Sequence, residues 1–216
     1  MDEPMTISVL YVDDEESLLD ITRRFLERPG DMLVDTAVSA EIALGMLGTT
    51  AYDAIVSDYQ MPGMDGITFL RKVRAGFGAV PFILFTGKGR EEVVVEAIDN
   101  GVDFYLQKGG DPRSQFAELS HKIKIAVERR RALDEVRKSE EKYREIVEDA
   151  NAIILKWDKS GTITFFNEFA QEFFGYSADE IVGKSVIGTI VPPTESGSQR
   201  DLAGMIGDII RSPWNY

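Results

Sequence analysis

Through the first 125 residues, short apolar runs alternate with stretches whose apolar positions recur every three or four residues. Residues 7–12 read as a buried strand, and 16–27 place Leu18, Leu19, Ile21, Phe25 and Leu26 at helical spacing. Pro29 and Gly30 stop that helix. The pattern then repeats. Strands are predicted over 32–37, 52–57, 80–85 and 104–107, and helices over 39–47, 65–74 and 90–100. Ser39 is a candidate N-cap, and Pro112 opens the last helix of this region where proline is tolerated. Five β–α units in regular alternation imply a parallel sheet with helices on both faces, an α/β doubly wound fold. Such sheets place functional groups beyond the carboxyl ends of their strands.

Those ends carry chemistry. The first strand runs into Asp13 and Asp14, the third ends at Asp58, the fourth at Thr86 and the fifth at Lys108. Taken singly, each has an ordinary reading: an aspartate before a helix is an N-cap, and a lone lysine is a solvated surface residue. Together they gather three carboxylates, a hydroxyl and an ammonium at one rim. Clustered carboxylates repel one another unless a cation intervenes, and an all-oxygen donor set suits a hard divalent ion such as Mg2+ or Mn2+. A carboxylate can attack a phosphoryl group and form an aspartyl phosphate. Asp58 is the best placed nucleophile, because the turn through Tyr59, Gln60, Met61, Pro62 and Gly63 exposes it. The ion, Lys108 and the Thr86 hydroxyl would position and neutralise the phosphoryl oxygens.

The set Asp13-Asp14, Asp58, Met61 to Gly66, Thr86-Gly87 and Lys108 resembles the signature of the response-regulator receiver domain of two-component signalling, over about residues 5–125. The resemblance implies a flavodoxin-like five-stranded sheet. It implies that Asp58 accepts phosphate from the phosphohistidine of a partner sensor kinase. Asp14, Asp58 and the Gln60 backbone carbonyl would bind the metal directly, and Asp13 through water. Lys108 would pair with the acyl phosphate, Thr86 would move to the phosphoryl group, and Tyr105 would rotate inward behind it. One departure is plain: receivers commonly follow this lysine with proline, and this chain has Gly109-Gly110.

Rival readings of the same parts fit poorly. A flavodoxin-type carrier needs a hydroxyl- and glycine-rich phosphate loop after the first strand, where this chain has Asp13 to Glu16. Haloacid-dehalogenase phosphatases want a second acid two residues after the nucleophile, where this chain has Gln60. Gly87-Lys88-Gly89 lacks the remaining elements of a nucleotide loop.

Beyond residue 115 no strong breaker appears until about 149, and a long amphipathic connector is predicted. A parallel coiled coil that dimerises the chain through helix five and the linker is the sharper reading of residues 126–145. Acidic residues interleave Arg129 to Arg131, which argues against nucleic acid. His121 lacks the neighbours of a phosphoaccepting histidine and reads as a surface residue. From 146 a hairpin is predicted, strands 152–157 and 162–166 around a turn at 158–161, followed by two short helices. Asp158, Gly161, Ile163 and Asn167, with Phe174 to Ser177, resemble the first half of a PAS domain. That resemblance implies further strands after the helices, so 146–216 is expected to be the N-terminal part of an α+β PAS fold with its C-terminal strands missing. Ile154 and Phe165 would then lie uncovered, and 143–216 is expected to be partly disordered or paired with a second chain. Phe165, Phe166, Phe169, Phe173 and Phe174 read as core rather than as a cofactor box.

Composition narrows the options. The 216 residues carry 24 basic and 37 acidic side chains, a net charge of −13, with one histidine and no cysteine. This balance disfavours nucleic acid and anionic membranes, and the missing thiols exclude disulfides and thiolate chemistry. No apolar run is long enough for a bilayer, and a cytoplasmic protein is expected. The reading is a phosphoryl-accepting switch with weak self-phosphorylation and self-dephosphorylation, acting on a PAS module through a helical linker. The alternatives are the front of a larger PAS-containing sensor or hybrid kinase, and an interaction module that works without phosphorylation.

Overall fold

The structure is a computed structural model that describes residues 6–87 and 91–194, with positions 201 and 204. The chain divides into two compact units, residues 1–135 and 136–216.

In the first unit five strands, β1 (Ile7–Val12), β2 (Met32–Ala37), β3 (Ala54–Ser57), β4 (Phe82–Thr86) and β5 (Phe104–Gln107), form one sheet in the order β2-β1-β3-β4-β5. All its pairings are parallel, with Val12 beside Ala37 and Ser57, and Thr86 beside Gln107. Between the strands run α1 (Glu16–Glu27), α2 (Ala40–Leu47), α3 (Gly66–Gly76) and α4 (Glu91–Asp99). The doubly wound α/β architecture is as the alternation implies, and its flavodoxin-like form is as the resemblance implies.

Strand alternation divides the apolar side chains between two layers. Leu10, Val12, Ile55, Phe82 and Leu84 pack with α2, α3 and α4 through Ala43, Ile67, Leu70, Val93 and Ala97. Val9, Tyr11, Val56, Ile83 and Phe85 face the other way, against Leu19 and Leu26 of α1 and Phe116, Leu119 and Ile123 of the final helix, α5 (Pro112–Glu148).

Element ends differ from expectation where side chains take over backbone partners. Ser39 and Asp65 cap α2 and α3, their side chains accepting from the Ile42 and Thr68 amides. β4 begins at Phe82 rather than at residue 80. Pro81 has no N–H to give the ladder, and the Val80 carbonyl accepts from Arg74 at 2.7 Å. The expected start of α4 at Arg90, and Lys88 of the loop before it, lie outside the described residues.

The second unit holds the end of α5 and an antiparallel pair, β6 (Leu155–Trp157) with β7 (Ile163–Phe166), then α6 (Glu168–Phe174) and α7 (Ala178–Ile181). Its buried apolar core among the described residues is Ile163, Phe166, Ala170, Ile181 and Val186. The predicted strand 152–157 is shortened because Asn167 captures its first half. The Asn167 amide accepts from Ile154 N–H at 2.9 Å and donates to the Ala152 carbonyl at 3.0 Å. Ile154 and Phe165 are half-buried, as are Phe169 and Phe174, while Phe173 is 65% exposed and so is not core. Of the stretch expected to be disordered or paired, 143–216, positions 195–200, 202–203 and 205–216 lie outside the described residues.

Candidate phosphoacceptor site

The carboxyl ends of β1, β3, β4 and β5 bring Asp13, Asp58, Thr86 and Lys108 to one rim. Parallel pairing does the positioning: the Asp58 amide donates to the Val12 carbonyl at 2.8 Å, and the Lys108 amide to the Thr86 carbonyl at 2.7 Å. Lys108 Nζ bridges the two acids, 2.6 Å from Asp13 Oδ2 and 2.8 Å from Asp58 Oδ1. Asp13 and Asp58 are buried, as is Thr86, and the lysine side chain is only 15% exposed. The remaining oxygens are also held. Gln60 N–H donates to Asp58 Oδ2 at 2.7 Å, and Glu15 N–H to Asp13 Oδ1 at 3.1 Å.

The turn that presents Asp58 has no room for a larger residue at Gly66. A Cβ there would stand 2.3 Å from the Asp58 carbonyl oxygen and 3.0 Å from Tyr59 Cα. Backbone packed this closely fixes where Asp58 leaves the sheet.

Electrostatics follows from burial and pairing. Burial opposes the charge on Lys108, but its hydrogen bonds to Asp13 and Asp58 outweigh that and raise its pKa above the ordinary value. Burial, followed by the Asp58 and Tyr59 charges, raises the Tyr105 phenol. The Tyr105 hydroxyl is buried and has no hydrogen-bond partner among the described residues.

The structure does not gather all the predicted ligands equally. Asp14 is exposed, as is Gln60, and among the described residues no three His, Cys, Asp or Glu side chains converge on one point. Asp13 and Asp58 are separated by the Lys108 ammonium rather than stacked against a third acid. Two buried carboxylates against one ammonium leave one negative charge, with Asp14 adjacent in sequence. This all-oxygen donor set fits Mg2+, which uses one or two carboxylates and keeps several waters.

Sequence reasoning missed two contributors. Tyr11, read only as strand core, donates its hydroxyl to Asp13 Oδ2 at 2.7 Å. Burial, then the Asp13 charge, pushes its phenol pKa well above the ordinary value, so it remains a donor. The period of two in a strand was the available signal, since it puts residues 11 and 13 on one face. Gln115, on the first turns of α5, accepts from Gly109 N–H at 2.7 Å and ties the Gly109-Gly110 loop that lacks the usual proline. Both glycines have positive φ, 146° and 84°. His121 lies exposed on α5.

Comparisons with known proteins place the fold in a family. The family model of the response regulator receiver domain matches residues 9–120, and that of the PAS fold matches 141–206. The chain belongs to the response regulator receiver family of two-component signalling. It is 32% identical over 155 residues to response regulator Rre1 of Synechocystis sp., covering 71% of this chain and 64% of that protein. It is 35% identical over 113 residues to the transcriptional regulatory protein ResD of Bacillus subtilis, covering 52% of this chain and 46% of that one. The chain therefore spans about half to two thirds of the length of these relatives. Among solved structures, the receiver domain of Francisella response regulator 1452 superposes with a TM-score of 0.52 at 28% identity, covering 57% of this chain and 98% of that one. The response regulator TrrA of Thermotoga maritima, solved in complex with Mg2+ and BeF, gives 0.50 at 26% identity, over 56% and 99% of the two chains.

No helix among the described residues is long and apolar enough to cross a membrane.

Proposed function

We propose that this chain is a phosphorylation switch in which Asp58 accepts a phosphoryl group from the phosphohistidine of a partner sensor kinase. The observation that carries the reading is the Lys108 ammonium shared between Asp13 and Asp58 at the carboxyl rim of the sheet. In the transfer, an Asp58 carboxylate oxygen attacks phosphorus and forms an acyl phosphate. The P–N bond to the imidazole breaks, and its electron pair leaves with the imidazole, which takes up a proton. Lys108 follows the new negative charge. The buried Thr86 hydroxyl lies at the end of the neighbouring strand, where it can turn to a phosphoryl oxygen. Tyr105, whose buried hydroxyl has no partner in the resting state among the described residues, is the side chain free to report the change on the face of α4, β5 and α5.

Asp58 and Asp14, with the Gln60 carbonyl and with Asp13 through water, would hold Mg2+ or Mn2+. The ion would neutralise phosphoryl oxygens when bound.

The signal is read by the PAS-like segment from about residue 146, through the linker of 126–145. Leu133, Val136, Tyr143 and Ile146 are exposed on α5 and support a homodimer through that helix.

Acetyl phosphate tests the reading. With Mg2+, intact mass should show one added phosphoryl group, lost when EDTA replaces the metal. Absence of the adduct, with Mg2+ binding confirmed by titration, would move the chain to the phosphorylation-independent class.

A further inference from the structure

The rim rests on one side chain that the transfer chemistry above does not use. Tyr11 is 0% exposed in β1, two residues before Asp13, and both side chains leave the strand on the same face. Its hydroxyl donates to Asp13 Oδ2 at 2.7 Å. Lys108 Nζ donates to that same oxygen at 2.6 Å. The other Asp13 oxygen takes the Glu15 N–H, so this buried carboxylate has three donors, of which only one is a cation.

Phosphorylation changes what Lys108 must do. The phosphoryl oxygens concentrate more charge than the Asp58 carboxylate did, and an ammonium drawn toward them loosens its hold on Asp13. A buried carboxylate stripped of its ammonium is strongly unfavourable unless other donors stay with it. Tyr11 and Glu15 N–H both stay. We infer that Tyr11 is a positioning residue: by sharing Asp13 Oδ2 with Lys108, it lets the ammonium leave for the phosphoryl group on Asp58. This rests on the reading of Asp58 as the phosphoacceptor. A tyrosine that only fills space and satisfies its own hydroxyl would have no coupling to Lys108.

Tyr11→Phe removes the hydroxyl and keeps the ring, so the packing against α1 and α5 is retained. The first measurement needs no phosphorylation: hydrogen exchange of the Lys108 ammonium, by NMR on the resting protein. With one donor fewer, Asp13 should grip Lys108 harder and the exchange should slow several-fold. Fluorotyrosine at position 11, a stronger donor of nearly the same volume, should speed it. Unchanged exchange in both would overturn the proposal.

The second measurement is the rate of phosphorylation by acetyl phosphate in a double-mutant cycle. Tyr11→Phe should slow it about ten-fold beside Lys108, and by less than about two-fold in the Lys108→Ala background. Equal slowing in both backgrounds would make Tyr11 merely structural. A wild type that takes up no phosphoryl group would count against the phosphoacceptor reading instead, while the ammonium exchange would still decide the role of Tyr11.

Discussion

The two units solve the burial problem with different means. Residues 1–135 sandwich a five-stranded sheet between two apolar layers, and every strand's residues are shared between them. Residues 136–216 have a two-stranded sheet and a far smaller buried set among the described residues. The larger unit can therefore sustain two buried carboxylates and an ammonium at its rim, an arrangement with a high desolvation cost. The smaller one puts its polar organisation into one uncharged residue. Asn167, 0% exposed, accepts from the Ile154 and Ala170 amides and donates to the Val147 and Ala152 carbonyls. An amide with both acceptor and donor positions filled joins the end of α5, the hairpin and α6 without a charge to desolvate. Charge is kept where chemistry needs it.

The contrast can be broken first at its thin side. Asn167→Ala would strip partners from four backbone groups and should cost the second unit about 4 kcal/mol, at about 1 kcal/mol for each group. Hydrogen-exchange mass spectrometry should show protection lost over α6 and the hairpin and retained over β1 to β5. Loss spread evenly over both units would contradict their separate organisation.

Next comes the thick side. Gly66→Ala forces a methyl group against the Asp58 carbonyl and should destabilise the first unit by about 3 kcal/mol, the upper range of overpacking. Because the clash is with the backbone of Asp58 itself, phosphorylation by acetyl phosphate should fall further than the lost stability explains. Urea titration beside rate measurement separates the two effects. A variant as stable and as active as the wild type would show that the turn yields.

A smaller effect sharpens the electrostatic half of the comparison. Burial acts to raise the Asp53 carboxyl, but hydrogen bonds from the Ser8 amide and hydroxyl and from Arg131 outweigh it and hold the pKa below the ordinary 3.8. A depressed carboxylate contributes stability above its unfolded pKa, and that contribution is lost as pH falls through the folded value. Asp53→Asn should therefore lower the stability of the first unit by about 1 kcal/mol at neutral pH and by less at a pH below that folded value. Urea midpoints at both pH values check this, and a loss that does not depend on pH would contradict it.

Much of this was legible before the structure. Periodicity placed every strand of the large sheet, because each strand is a short apolar run bounded by turn residues. Asp13, Asp58, Thr86 and Lys108 were legible because parallel strands deliver their last residues to a common edge. In the second unit Asp158, Gly161, Ile163 and Asn167 stood out as a pattern, and their roles now have causes. Asp158 accepts from Ser160 and Thr162 across the turn, Gly161 has φ 81°, and Ile163 is fully buried.

What was not legible depended on distant pairs. Nothing local says that Asn167 will take the backbone groups of residues 152–154 from the strand, or that Lys108 will stand between Asp13 and Asp58 while Asp14 faces solvent. Tyr11 was hidden by its company, since a tyrosine among valines and leucines counts as apolar until its hydroxyl finds Asp13.

The central claim is that Asp58, held by Lys108 and the Gln60 amide, is the group that becomes phosphorylated. The most direct measurement is to phosphorylate the protein with acetyl phosphate and Mg2+, reduce the acyl phosphate with borohydride, and sequence the peptides by mass spectrometry. The account predicts homoserine at position 58 and nowhere else, and no reduced residue in Asp58→Asn. Reduction at Asp13 or Asp14, or an Asp58→Asn protein labelled as fully as the wild type, would contradict it.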